Sequence, residues 1–224
     1  MVEYYSVDEN GLKANLCAAV ERIERASAKT GSRVTLVAAT KTVPADVIDS
    51  VIGMGVSRVG ENRVQEYLAK RDFVSGAEWH FIGTLQRNKA KYLVGNVALI
   101  QSVSSVELAR EIDRLAALRG VVQDVLVEVN IGSETDKTGA PVDTLDCLVD
   151  SVRSLDGLRL RGLMAVPPKG ADRSVYERLY KMYSDYSGGA FDTLSVGMSG
   201  DYELAISCGS NMVRLGTAIF GKRS

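Results

Sequence analysis

Eight short runs of aliphatic and β-branched residues, each closed by a polar turn, restrict the architecture of this chain more than any other feature. They cover residues 34–40, 57–60, 79–83, 99–103, 124–130, 158–164, 193–198 and 212–216. Helical patterns fill most of the intervals, with Pro44 at a first helical position and Ser104 and Glu107 at capping-box spacing. Strands that alternate with helices pair in parallel through crossovers, since a hairpin joins only antiparallel neighbours. Eight such units fit within 224 residues, and no Gly-x-Gly-x-x-Gly pattern opens the helix after the first strand. The expected fold is therefore α/β, a single (β/α)8 TIM barrel over residues 1–224 rather than a doubly wound open sheet. An extra amino-terminal helix precedes the first strand, with Leu12, Leu16, Val20 and Ile23 on one face and an end near Thr30-Gly31.

Composition narrows the partners. The chain is 46% hydrophobic with a formal net charge of −1, enough apolar material for one core and no basic excess for nucleic acid or an anionic membrane. A small molecule is the partner this balance favours. Cys17, Cys147 and Cys208 are odd in number and lack Cys-x-x-Cys spacing, which argues against a disulfide framework or a zinc site and suits a reducing cytoplasm. The amino terminus carries acidic residues without an apolar leader core, and no apolar stretch reaches membrane-spanning length. The expectation is a cytoplasmic protein, neither exported nor embedded.

In a barrel of this kind the reactive groups stand at the carboxyl ends of the strands. Lys41 directly follows the first run, where an apolar core beneath it would disfavour the charged ammonium and leave a nucleophilic amine. The same position also suits a lysine reaching into solvent. The loops after the seventh and eighth strands carry Met198-Ser199-Gly200-Asp201, ahead of a short helix over Tyr202–Ser207, and Gly216-Thr217. Each pairs a glycine with a hydroxyl, as phosphate-binding loops do and as ordinary helix starts also do. Arg214, inside the last strand, either faces inward toward a ligand or outward to an ion pair. His80, the one histidine, alternates with Trp79 and Phe81, which fits a hydrogen-bonded core residue or an acid–base group. Asn62 either contacts a ring above the barrel or caps a helix. Lys137-Thr138-Gly139 matches a box of penicillin-binding serine enzymes whose companion patterns are missing, and Glu128 and Asp136 read as solvated loop charge with no metal-ligand cluster nearby.

Landmarks along nearly the whole chain resemble one family. They are Ala39-Thr40-Lys41-Thr42, Gly60-Glu61-Asn62, the run from His80 to Lys89, Val129-Asn130-Ile131, Lys137-Thr138-Gly139, Arg161-Gly162-Leu163-Met164, the run from Ser195 to Asp201, and that from Val213 to Gly221. In this order they are similar to the pyridoxal phosphate homeostasis proteins, the YggS or PROSC family, related to the amino-terminal barrel of alanine racemase. The resemblance implies pyridoxal 5'-phosphate as cofactor and Lys41 as its Schiff-base lysine. It implies that Ser199, Gly200, Gly216 and Thr217 hold the phosphate, that Arg214 approaches the pyridine nitrogen, and that Asn62 and Met164 flank the ring. Arg63 departs from the tyrosine frequent in the family after Gly-Glu-Asn, and the segment from Met164 to Ser195 is short for it, so the expectation is that the pocket edges differ from the family's.

Racemisation needs two acid–base groups on opposite faces of the substrate carbon. In alanine racemase one of them comes from a second domain of the partner subunit, whereas this sequence stops shortly after its eighth strand. The resemblance therefore implies a protein that binds, buffers and delivers the cofactor to apo-enzymes, as a monomer or weak homodimer, with no catalytic residue assigned beyond Lys41. The alternatives are a single-domain amino-acid racemase using Lys41 and a second base such as His80, and a pyridoxal-free isomerase of a sugar phosphate.

Overall fold

The computed structural model describes residues 8–132 and 138–222. Its barrel strands are β1 Thr35–Ala39, β2 Arg58–Glu61, β3 Glu78–Phe81, β4 Leu99–Val103, β5 Gln123–Asn130, β6 Leu158–Ala165, β7 Thr193–Ser195 and β8 Met212–Leu215. The helices are α1 Glu9–Ala28, α2 Ala45–Gly53, α3 Val64–Lys70, α4 Val106–Arg119, α5 Leu145–Arg153, α6 Arg173–Tyr186, α7 Tyr202–Ser207 and α8 Thr217–Phe220. Every strand pairs in parallel with its neighbours, in the order β4-β3-β2-β1-β8-β7-β6-β5, and pairing of β4 with β5 closes the ring. That closure excludes the open sheet. A two-residue strand, Ala140–Pro141, adds beside the end of β5 and had no signal in the sequence because it is too short to show a period.

Strand alternation separates two apolar layers. On β5, Val125, Val127 and Val129 face the helices while Leu126 points into the barrel. On β8, Val213 and Leu215 point outward and Met212 inward. Val37, Leu99, Leu126, Met164 and Met212 fill the interior, so the barrel is a packed core and not a pore. Each such buried side chain contributes about 1.5–3 kcal/mol through removal from water.

Four local expectations shift by a residue or more. The buried stripe of α1 is Leu12, Leu16, Ala19, Ile23 and Ala26, and Val20 turns outward at 37% exposure, because a 3.6-residue period toward α7 and α8 selects Ala19 instead. The cap of α4 is Ser105, not Ser104: Ser105 is the extended residue, and its hydroxyl accepts from Leu108 N at 3.2 Å. Pro44 caps α2 from outside, and the helix starts at Ala45. The seventh strand ends at Ser195 because Gly197 takes a φ of +105° and lies against α7, where a Cβ would come within 2.9 Å of Ala205 and Tyr202.

Candidate cofactor site

Lys41 stands exposed at the carboxyl-end mouth, one residue beyond Thr40, instead of sunk over the apolar core. The backbone on both sides of it is held by a buried ionic cluster. Thr40 is fully buried, and its hydroxyl donates to Glu61 Oε1 at 2.8 Å. The Lys70 ammonium donates to that same carboxylate oxygen at 2.7 Å, to Thr40 O at 2.9 Å and to Glu66 Oε2 at 3.3 Å. Glu66 Oε2 also accepts from Thr42 N at 2.5 Å. Thr42 has a φ of +63°, the only left-handed non-glycine among the described residues, a conformation that costs about 1–3 kcal/mol unless its surroundings impose it. Burial drives the Glu61 carboxyl above its ordinary range, and the Lys70 ammonium and the Thr40 hydroxyl oppose that rise. Glu66 and Lys70 were missed in the sequence, although their i,i+4 spacing on α3 is the signal that would have found them. Glu61 lies in the run Gly60-Glu61-Asn62, where nothing local signals its ion pair with Lys70.

The loops after β7 and β8 meet at Ser199, whose hydroxyl oxygen accepts from Gly216 N at 3.2 Å and Ala218 N at 3.0 Å. Asp201 braces the first loop from below. One of its carboxylate oxygens accepts from Met198 N at 2.6 Å and the other from the hydroxyl of buried Tyr176 on α6, also at 2.6 Å. Burial and the Asp201 carboxylate push the Tyr176 phenol well up, so it stays a donor. Among the described residues, nothing beyond its chain neighbours comes within 4 Å of a Cβ built on Gly200, and one on Gly216 meets only ordinary contacts with Ala39 at 3.5 Å or more. The protein itself does not require glycine at either position, whereas an anion approaching the backbone does. Thr217 is exposed at the start of α8. A cleft of about 890 Å³ runs over this corner, between Met198-Ser199-Gly200 and Pro167-Pro168. A larger cavity, about 1180 Å³, lies elsewhere, between α1, α2 and the amino ends of β1 and β2, and none of the candidate residues lines it.

Arg214 points into the barrel, which decides between the two orientations left open by the sequence. It is 4% exposed and donates to Ser195 O and Ser195 Oγ at 2.7 Å each and to Ala165 O at 2.9 Å. Burial lowers it to about 10, with Glu128 and Asp201 opposing, so it remains a cation at neutral pH. Glu128 is not solvated loop charge as expected. It is 4% exposed, because the strand period turns it inward on β5, and it accepts from the Thr138 hydroxyl at 2.7 Å. Burial raises its carboxyl, against the pull of Thr138 and Arg214. Asp136 and Lys137 lie outside the described residues, and no group of acidic, histidine or cysteine side chains able to hold a metal occurs among the described ones. All three cysteines are free.

The remaining candidates separate. Met164 is fully buried with the interior cluster. Asn62 is half-buried just past β2, with its backbone so close to Gly83 that no side chain fits there. It does not cap α3, whose cap is Arg63. His80 is 4% exposed, with Nδ1 3.0 Å from Gln101 Nε2. Burial, reinforced by Arg58, lowers it to about 3. It is a core histidine, neutral at physiological pH.

This closed parallel barrel carries a lysine just past β1 and a hydroxyl–amide corner after β7 and β8, and residues 14–224 match the model of the family "Alanine racemase, N-terminal domain". Within that class the chain belongs to the pyridoxal phosphate homeostasis proteins. It is 40% identical over 221 residues to the pyridoxal phosphate homeostasis protein of Aquifex aeolicus, covering 93% of this chain and 96% of that protein. To the protein of the same name from Escherichia coli K12 it is 38% identical over 228 residues, covering 96% and 97%. Among solved structures, PipY of Synechococcus elongatus PCC7942 with pyridoxal phosphate bound is 28% identical, with a TM-score of 0.80, covering 94% of this chain and 100% of that one. Among the described residues no helix is long and apolar enough to cross a membrane.

Proposed function

We propose that this chain binds pyridoxal 5'-phosphate through a Schiff base on Lys41 and serves in the homeostasis of that cofactor, holding it and releasing it to apo-enzymes in the cytoplasm. The observation that carries this reading is the pairing, at one end of one barrel, of a braced lysine after β1 with the convergence of Gly216 and Ala218 amides on Ser199 after β8 and β7. The cofactor, when bound, supplies an aldehyde that condenses with a primary amine with loss of one water, and a phosphate that needs hydrogen-bond donors. Lys41 would provide that amine, on a backbone that the Lys70–Glu61–Glu66 cluster keeps from moving. Ser199, Gly200, Gly216 and Thr217 would hold the phosphate, and Asn62 and Met164 would flank the ring.

Arg214 sets the chemical character of the site. A buried guanidinium, held as a cation, disfavours a proton on a nearby pyridine nitrogen and so weakens the ring as an electron sink. That suits storage better than carbanion chemistry. A racemase would also need a second acid–base group over the substrate, and His80, buried in the barrel and lowered to about 3, is poorly placed and poorly tuned for it.

The test is the near-visible absorption of wild type and Lys41→Ala, each incubated with pyridoxal phosphate and desalted. We expect a Schiff-base band in wild type alone, and transfer of that cofactor to an apo-enzyme on mixing. Absence of the band from reconstituted wild type would return the protein to the phosphate-binding barrels at large. Rapid exchange of an amino-acid α-hydrogen for solvent deuterium, lost in Lys41→Ala, would instead favour the racemase.

A further inference from the structure

Arg214 is the first member of a hydrogen-bond chain that crosses the barrel interior. From Arg214 on β8 it passes to Ser195 on β7, then across the lumen to Gln101 on β4, whose Nε2 lies 3.0 Å from His80 Nδ1 on β3. Ser195 and Gln101 are fully buried, and His80 and Arg214 are each 4% exposed, so every link lies in a low-dielectric interior where an unmatched polar group is costly.

The direction of every link follows from its first member. Arginine has five N–H donors and no acceptor, so Ser195 Oγ accepts from Arg214 at 2.7 Å. The Ser195 proton is then free to go to Gln101 Oε1, 2.7 Å away. This fixes the amide, whose nitrogen directs its two hydrogens to His80 Nδ1 at 3.0 Å and Met212 Sδ at 3.3 Å. Turning the amide over would face its oxygen to the Met212 sulfur and leave the Ser195 proton without the acceptor it now has. His80 Nδ1 is therefore the lone-pair nitrogen and Nε2 carries the proton. The ring lines a polar cavity of about 300 Å³ at the amino-end mouth, opposite the face that holds Lys41.

We propose that Ser195, Gln101 and His80 are positioning residues, a hydrogen-bond chain of fixed direction that sets the orientation in which Arg214 meets the cofactor ring. The proposal rests on the reading of Arg214 given above, but its structural half does not require a ligand. Three of the five guanidinium donors are committed to Ser195 O, Ser195 Oγ and Ala165 O, which leaves the group one orientation from which to approach a ring.

The chain has one histidine, so ring-15N-labelled histidine gives a single imidazole to observe without assignment. In ligand-free wild type we expect the neutral Nε2–H tautomer throughout about pH 5 to 8. Gln101→Glu replaces the donor facing Nδ1 by an acceptor and should move the proton to Nδ1. Ser195→Ala should mix the two tautomers, weaken pyridoxal phosphate binding about tenfold, the effect of about one buried hydrogen bond, and shift the absorption band of the bound cofactor. Ser195→Thr should restore all three readouts. A charged ring or an Nδ1–H tautomer in wild type overturns the chain itself, and needs no variant to fold. Variants that melt as wild type does and change the tautomer, yet leave affinity and band unaltered, overturn the positioning role. If wild type lacks a Lys41-dependent band, the function proposed above fails separately, while the tautomer still tests the chain.

Discussion

The two ends of the barrel use their polar residues in opposite ways. At the amino end, charges neutralise one another: Arg58 meets Glu78 at 2.9 Å, and Arg161 joins Asp124 at 2.8 Å and Asp192 at 2.6 Å. Arg159 adds a further bond to Asp124 at 2.6 Å. At the carboxyl end, the polar groups are aimed and braced from behind: Lys70 and Glu61 under Lys41, Tyr176 and Asp201 under Ser199. One end fastens strand starts together, and the other supports a surface that a ligand would meet. The barrel allows this division because its strands, all parallel, bring eight loops to each end, and only the carboxyl-end loops lead out from the strand termini toward helix starts.

Substitutions should separate the ends, with stability as one axis and cofactor retention as the other. Lys70→Ala is expected to have the largest combined effect. It leaves Glu61 buried without its cation, which should cost about 3–5 kcal/mol in urea unfolding, and it loosens the Lys41 backbone, so retention after desalting should fall as well. Unchanged retention in a folded Lys70→Ala protein would break the link between the cluster and Lys41. Asp124→Ala at the opposite end removes the carboxylate that Arg159 meets and one of the two that Arg161 meets, and should cost about 1–3 kcal/mol with cofactor retention intact.

A smaller effect concerns acid. Burial alone would raise the Asp192 carboxyl, but the Arg161 guanidinium and the Thr193 hydroxyl hold it below its ordinary 3.8. A carboxyl lowered by folding contributes stability that is fully present above its unfolded value and is lost as the pH falls through the folded one. Asp192→Asn should therefore flatten the acid limb of thermal melts, by lowering stability modestly near neutrality and leaving it little changed well below the ordinary carboxyl value of 3.8. The smallest effect is expected for Arg159→Ala, whose side chain is 55% exposed: within about 0.5 kcal/mol by the same unfolding assay. A loss of several kcal/mol there would show that the amino-end pairs act as one unit.

Periodicity and turn chemistry, local properties of the chain, were sufficient to determine the eight strands, their parallel pairing and the loops that carry Lys41, Ser199 and Gly216. The helix Tyr202–Ser207 was legible to the residue, because its start follows a Ser-Gly-Asp turn. Where a property depended on a neighbour distant in sequence, the reading failed or stayed open. From sequence Glu128 reads as loop charge, because its partners, Thr138 and the field of Arg214, come from outside its strand. The inward turn of Arg214 needed Ser195 and Ala165, supplied by the two preceding strands. Nothing local in the sequence singles out Gln101, since the residue it joins, Ser195, lies 94 positions away. The sequence by itself determined that alternate side chains of each strand share a face, since a strand turns every second residue the same way. Only the tertiary structure decided which face is the interior at Arg214 and Glu128 and which buried polar groups meet there, because closing eight strands into a ring makes neighbours of residues that no local period relates.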